Sequence, residues 1–169
     1  QDVVISEFMA VNDGGLVDED GESSDWLEIH NRTATVVALS GWTLSDDPGD
    51  PQKWGFPDVA LSEGAYLVVF ASGKDRAAAG SPLHTNFKLT DGGEYLGLFR
   101  PGGVTVEHQY GPRYPRQRPD ISYGLAAETR SLVAEGHSGE YLAPADGSLA
   151  LGWKAPGFIP GAEWKSGPT

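Results

Sequence analysis

Short apolar runs rich in β-branched and aromatic residues recur along positions 3–125, and Gly or Pro stands in nearly every gap between them. An amphipathic helix needs apolar residues three and four apart over ten or so positions, and no segment keeps that spacing beyond a turn or two. Turn residues every 8–12 positions cut the chain into strand-length pieces. Such a chain buries its apolar surface as sheets. About nine strands suit two sheets packed face to face, an all-β two-sheet sandwich.

Positions 3–11, 36–39, 42–44, 53–56, 104–110 and 121–125 read as strands from their composition. At 26–31, Leu27 and Ile29 alternate with Glu28 and His30, the period of a half-buried strand. The run 65–71 is apolar on both faces, so it is placed centrally, between two packed layers. Positions 87–90 and 94–100 flank Asp91-Gly92-Gly93 and are expected to pair as a hairpin, since Gly reaches the positive φ of tight turns. Positions 12–25, 46–51 and 111–120 are loops, and 72–84 is irregular. By strand parity Glu7 shares a face with Val3, Ile5 and Met9, partly buried and hydrogen-bonded to a neighbouring loop.

After position 125 the composition changes. Positions 126–140 read as a linker, so the sandwich is assigned to 1–125. Positions 141–169 carry Trp153, Phe158 and Trp164, which need a core that so few residues do not build. This extension either packs on the sandwich or opens a truncated second domain.

The formal net charge is −12 and the pI about 4.5. That balance repels phosphate backbones and anionic membrane surfaces and favours divalent cations and basic partners. No apolar stretch approaches the roughly 20 residues of a membrane-spanning helix, so no membrane insertion is expected. The absence of cysteine removes thiol catalysis, disulfides and thiolate metal sites together.

An ordered set of segments carries a resemblance. It comprises Ile5-Ser6-Glu7-Phe8, Asp25-Trp26-Leu27-Glu28-Ile29-His30-Asn31, Leu39-Ser40-Gly41-Trp42-Thr43-Leu44-Ser45-Asp46 and Trp54-Gly55-Phe56-Pro57. Leu67-Val68-Val69-Phe70-Ala71, Asn86-Phe87-Lys88-Leu89, Gly93-Glu94-Tyr95-Leu96-Gly97-Leu98 and Ser122-Tyr123-Gly124 continue it. In this order the segments resemble the lamin tail domain family over about positions 3–125, and its bacterial branch more than nuclear lamins. The resemblance implies an immunoglobulin-like β-sandwich without catalytic apparatus, a module of secreted or surface proteins. It places the chain in an extracellular, periplasmic or cell-surface setting, beside other domains of its parent protein.

Asp18, Asp20, Glu22 and Asp25, with Glu19, crowd one loop. Calcium wants six to eight oxygens, and Asp-x-Asp-Gly is a fragment of a calcium loop, although no Glu stands twelve positions from Asp18 within it. Calcium is thus the one candidate cofactor, against the plainer reading of a solvated loop. Asp46, Asp47 and Asp50 form a weaker second cluster. Arg113 and Arg116, with Arg118, Tyr110 and Tyr114, make a basic-aromatic group able to grip a protein or carbohydrate ligand, or simply a proline-stiffened connection. Nucleic acid is disfavoured there by the net charge. Trp26, Trp42 and Trp54 either stack on a sugar or fill the core, the commoner use. Gly136-His137-Ser138-Gly139 is one residue short of a nucleophile elbow and follows no strand. Three functions are therefore weighed: a non-catalytic interaction or spacer module, a calcium-assisted carbohydrate-binding module, and a non-catalytic fragment of an extracellular enzyme.

Overall fold

A computed structural model describes residues 1–126, 138–141, 159, 162 and 164–168. The chain divides into two compact units, Gln1–Ala126 and Ala127–Thr169. The first unit holds β1 (Val3–Met9), β2 (Trp26–Asn31), β3 (Val37–Ala38), β4 (Thr43–Ser45), β5 (Trp54–Gly55) and β6 (Ala60–Leu61). It continues through β7 (Tyr66–Phe70), β8 (Leu83–His84), β9 (Leu96–Phe99), β10 (Val106–Tyr110) and β11 (Tyr123–Gly124). The second unit holds an antiparallel pair, β12 (Ser138–Tyr141) and β13 (Lys165–Pro168). The expected linker over 126–140 falls largely outside the described residues, and its end lies in β12. Trp153, Phe158, Gly136 and His137 also lie outside them.

One sheet has the order β11-β1-β2-β7-β8 and the other β10-β9-β4-β5, with β3 and β6 paired separately. Side chains from both large sheets meet in one apolar cluster, which makes the unit a sandwich. Ile5 and Leu27 come from the first sheet; Leu44 and Leu98 come from the second. No helix occurs among the described residues.

The alternation in β2 behaves as its sequence dictates: Leu27 and Ile29 are sealed in the core, and Glu28 and His30 face outward. In β1 the alternation breaks. Ile5 pairs with Ile29, but Glu7 pairs with Glu28, so a bulge absorbs Ser6. Val3 and Ile5 point into the core before the bulge, and Phe8 and Ala10 point into it after. Glu7 therefore leaves the face of Val3 and Ile5 that simple parity assigns it, because one extra residue resets the two-residue period. It is half-buried, and its carboxylate accepts the Ser122 hydroxyl from the segment before β11.

Two other expectations need correction. The run 65–71 is an interior strand, flanked by β2 and β8, but it is not covered along its whole length: β8 pairs only with the far end of β7, at Val69 and Phe70. Tyr66, at the open end, is 57% exposed. The hairpin around Asp91-Gly92-Gly93 does not form. Instead β9 pairs with β10 across the turn at Pro101-Gly102-Gly103, and with β4 on its other side. Phe87 and Leu89 still enter the core, but as side chains of an irregular segment. The parallel pairing of β7 and β8 is not foreseen by the sequence, which shows only an irregular stretch across the crossover they require.

Candidate functional site

The acidic loop closes on itself around one buried carboxylate. Asp18 Oδ1 accepts the backbone N–H groups of Asp20 and Glu22, each at 3.0 Å. Its Oδ2 accepts the Ser24 hydroxyl at 3.0 Å and the Lys74 ammonium at 2.6 Å. Lys74 also reaches Asp20 at 2.7 Å and Glu22 at 3.0 Å. Burial pushes the Asp18 carboxyl up, but Lys74, Ser24 and the two amides outweigh it and hold it far below the usual carboxylate range. Burial opposes the Lys74 charge too, and the three carboxylates overcome that and push it up.

The sequence thus brings Asp18, Asp20 and Glu22 together, with oxygens within 4.8 Å of one another. The space between them is taken by an ammonium from a segment that the sequence leaves irregular. Asp25 stands apart from the group. Its carboxylate accepts the Asn12 N–H at 3.3 Å, and burial raises its pKa. As a cation cradle the set is a poor fit for calcium, because both Asp18 oxygens are already engaged and three carboxylates fall short of the six to eight oxygens required. In the second acidic loop Lys53 pairs with Asp46 at 2.6 Å, which raises the Lys53 pKa.

Beside Lys74 the fold assembles a relay that spacing along the chain does not reveal. Ser72 Oγ lies 2.9 Å from His84 Nδ1, and His84 Nε2 lies 2.9 Å from Glu19 Oε2. A carboxylate only accepts, so a neutral ring carries its proton on Nε2 and takes the Ser72 proton on Nδ1. The polarity is that of a nucleophile–base–acid triad. The position is not: His84 is fully buried, Ser72 is nearly so, and the Ser72 oxygen also accepts the Lys74 N–H at 3.2 Å. Arg76 adds an ion pair to Glu19 at 2.8 Å. The network fastens the acidic loop to β8.

The proline-rich arm separates the residues that the sequence groups there. Tyr114 is sealed in the core against Phe8, with its hydroxyl 2.9 Å from the Thr90 carbonyl, so it is not a ligand contact. An aromatic ring fills sandwich volume that no polar ligand can replace. Arg113 and Arg116 are exposed, and Arg116 reaches Asp91 at only 3.6 Å. Trp42 and Trp54 are buried, whereas Trp26 is half-exposed, so the three make no shared sugar platform. Asn31-Arg32-Thr33 has the form of a glycosylation sequon, but its asparagine is closed to modification. The Asn31 amide is buried and donates to the carbonyls of Thr35, Leu61 and Ser62.

The outer face of the first sheet carries a further arrangement, in which Val4, Met9 and Phe70 are buried. Glu28 lies between Trp26 and His30 along β2, opposite Glu7 on β1 and Val68 on β7. All five side chains are half-buried. His30 stacks on exposed Tyr66 with ring centroids 4.0 Å apart. Glu28 accepts the hydroxyl of bulge residue Ser6 at 2.7 Å. Among the described residues neither Glu7 nor Glu28 meets a cation.

Comparison with known proteins agrees with this architecture. The family model described as Lamin Tail Domain matches residues 1–112 of the 169. No curated protein matches the chain. The matched family consists of non-catalytic immunoglobulin-like modules, and the two-sheet all-β unit is of that kind. The chain belongs to the lamin tail domain family.

Proposed function

We propose that the chain is a non-catalytic interaction and spacer module of a larger secreted or surface protein, orienting neighbouring domains and presenting one face to a protein ligand. The observation that carries this reading is the fate of the chemistry-bearing side chains. Ser72 and His84 of the relay are buried, and the acidic loop holds its own cation in Lys74. Trp42 and Trp54 serve the core. The outer face of the first sheet carries half-buried Trp26, Glu28 and His30 beside exposed Tyr66, a mixed surface that suits recognition. The extracellular, periplasmic or cell-surface setting rests on the likeness of Ser40-Gly41-Trp42-Thr43-Leu44-Ser45-Asp46-Asp47 and the acidic loops to bacterial members of the family.

This reading assigns no cofactor. Calcium enters it only as a competitor of Lys74 for Asp18, Asp20 and Glu22. The test is a screen of ester, glycoside and phosphoester substrates with the purified chain. No turnover is expected. Reproducible turnover abolished by Ser72→Ala would overturn the assignment.

A further inference from the structure

Resting on the reading of the chain as an interaction module, we propose that a cleft beside the proline-rich arm binds a carboxylate on a peptide segment of a partner protein. The cleft has a volume of about 630 Å³ and is lined by Val11, Asp91, Arg116, Gln117, Arg118 and Pro119. That is the size of a small-ligand pocket. Its walls are held by the chain itself. The Gln117 N–H donates to the Asp91 carbonyl at 2.8 Å, and the Asp120 N–H donates to the Val11 carbonyl at 2.9 Å. The Asp120 carboxylate accepts the N–H groups of Asp13 and Gly14, each at 2.9 Å. The arm is thus pinned at both ends, to the Asp91-Gly92-Gly93 turn and to the end of β1, before any ligand arrives.

The lining groups select the ligand. A guanidinium has five donors in a planar fork that matches a carboxylate. Arg118 is exposed and meets no carboxylate among the described residues. Arg116 lies 3.6 Å from Asp91, beyond hydrogen-bond reach. Arg32, Lys88 and Arg113 are also without an ion pair among the described residues, but they do not line the cleft, so a free charge alone does not select the site. Gln117 is the independent observation. It is only 6% exposed; its Nε2 donates to the Pro115 carbonyl at 2.6 Å, and its Oε1 receives no hydrogen bond among the described residues. A buried side chain of the lining thus offers an acceptor, beside the Asp91 carboxylate, for an N–H that accompanies the ligand's carboxylate. A peptide supplies both groups together. The net charge of −12 and Asp91 in the cleft disfavour a dianionic phosphate. No aromatic side chain lines the cleft, so a sugar has no ring to stack on there.

The experiment titrates short alanine–leucine peptides into the full chain at about 0.15 M salt, where the distant acids are screened and the adjacent arginines are not. One peptide has a free C-terminal carboxylate, one is amidated with a single internal glutamate, and one is amidated and neutral. Nuclear magnetic resonance follows the Gln117 side-chain amide. Saturable binding of at least one acidic peptide is expected, with no binding of the neutral one, and the pair tells a chain end from an acidic side chain. Affinity should fall at least about fivefold in Arg118→Gln, and in the same direction in Arg116→Gln, with the melting temperature of both unchanged. Arg32→Gln removes the same charge away from the cleft and should bind within about twofold of wild type. Equal weakening in Arg118→Gln and Arg32→Gln, unchanged binding in Arg118→Gln, binding of the neutral peptide, or no saturable binding would overturn the site. Binding of glucuronate in place of both acidic peptides would overturn the peptide assignment. Those results leave the non-catalytic reading intact, since that reading falls only to turnover.

Discussion

Lys74 puts one ammonium among three carboxylates whose spacing alone suggests a calcium loop. A lysine offers a single charge that is covalently attached and always present, so the loop needs no dissolved ion to offset its repulsion. Removing it leaves Asp18 buried and ionised with hydroxyl and amide partners only, which is more damaging than never having had the pair. Lys74→Met is therefore expected to lower the melting temperature by roughly 5 °C or more. It should also create a dependence on millimolar calcium that the wild-type chain lacks, read by melting in chelator, magnesium and calcium. A wild-type shift with calcium as large as the variant's would mean that the ion binds elsewhere. The acidic half of this site was legible in the sequence because its members lie within five residues. Lys74 was not, because it arrives from 56 residues away in a segment with no periodicity. Glu19 is 65 residues from His84, and the Ser72–His84–Glu19 relay is likewise hidden until β8 pairs with β7.

At the scale of elements, the strands that announced themselves were those with a clean two-residue period or a long β-branched run. β2, β7 and β10 lie where the sequence puts them. What failed was pairing. A local turn such as Asp91-Gly92-Gly93 predicts a hairpin, yet the residues before it are held by core burial of Phe87 and Leu89 rather than by a ladder. Gly93 is needed there for another reason. It adopts φ +85°, and a Cβ would lie 2.1 Å from the Tyr114 carbonyl oxygen, where the proline-rich arm crosses. Gly124 plays the matching part in β11. A Cβ on it would lie 2.2 Å from the Ser6 carbonyl oxygen, so β11 can dock on the β1 bulge only with glycine at that place. Gly124→Ala is expected to destabilise the unit by about 2 kcal/mol, the usual size of an overpacking change. Urea unfolding should show a lower midpoint with an unchanged slope. An unaltered midpoint would mean that β11 contributes nothing to the fold.

For the whole molecule, composition fixed the sign of the charge and the all-β class, while the way the charges are distributed through the fold governs its response to pH. His108 is buried, and burial lowers its pKa from 6.5. Its Nδ1 accepts the Ile5 N–H at 3.3 Å, a bond that a protonated ring cannot accept. The unfolded chain therefore takes up this proton first, and stability begins to fall as pH drops below about 6.5. Asp25 and Glu94 act the other way. Burial raises both, so the native state binds their protons first, and this offsets part of the loss above their ordinary values of 3.8 and 4.5. Below those values a steeper loss sets in. Burial opposes the charge of Asp18 and Glu107, but the partners of each hold its pKa low, and the stability they give is lost as they are protonated. The urea midpoint measured from pH 8 to pH 3 should thus decline in two limbs. His108→Gln, which keeps an acceptor near Ile5 but does not titrate, should flatten the limb between about pH 7 and pH 5 and leave the acid limb in place. Identical profiles for both proteins would show that the upper limb belongs to a different group.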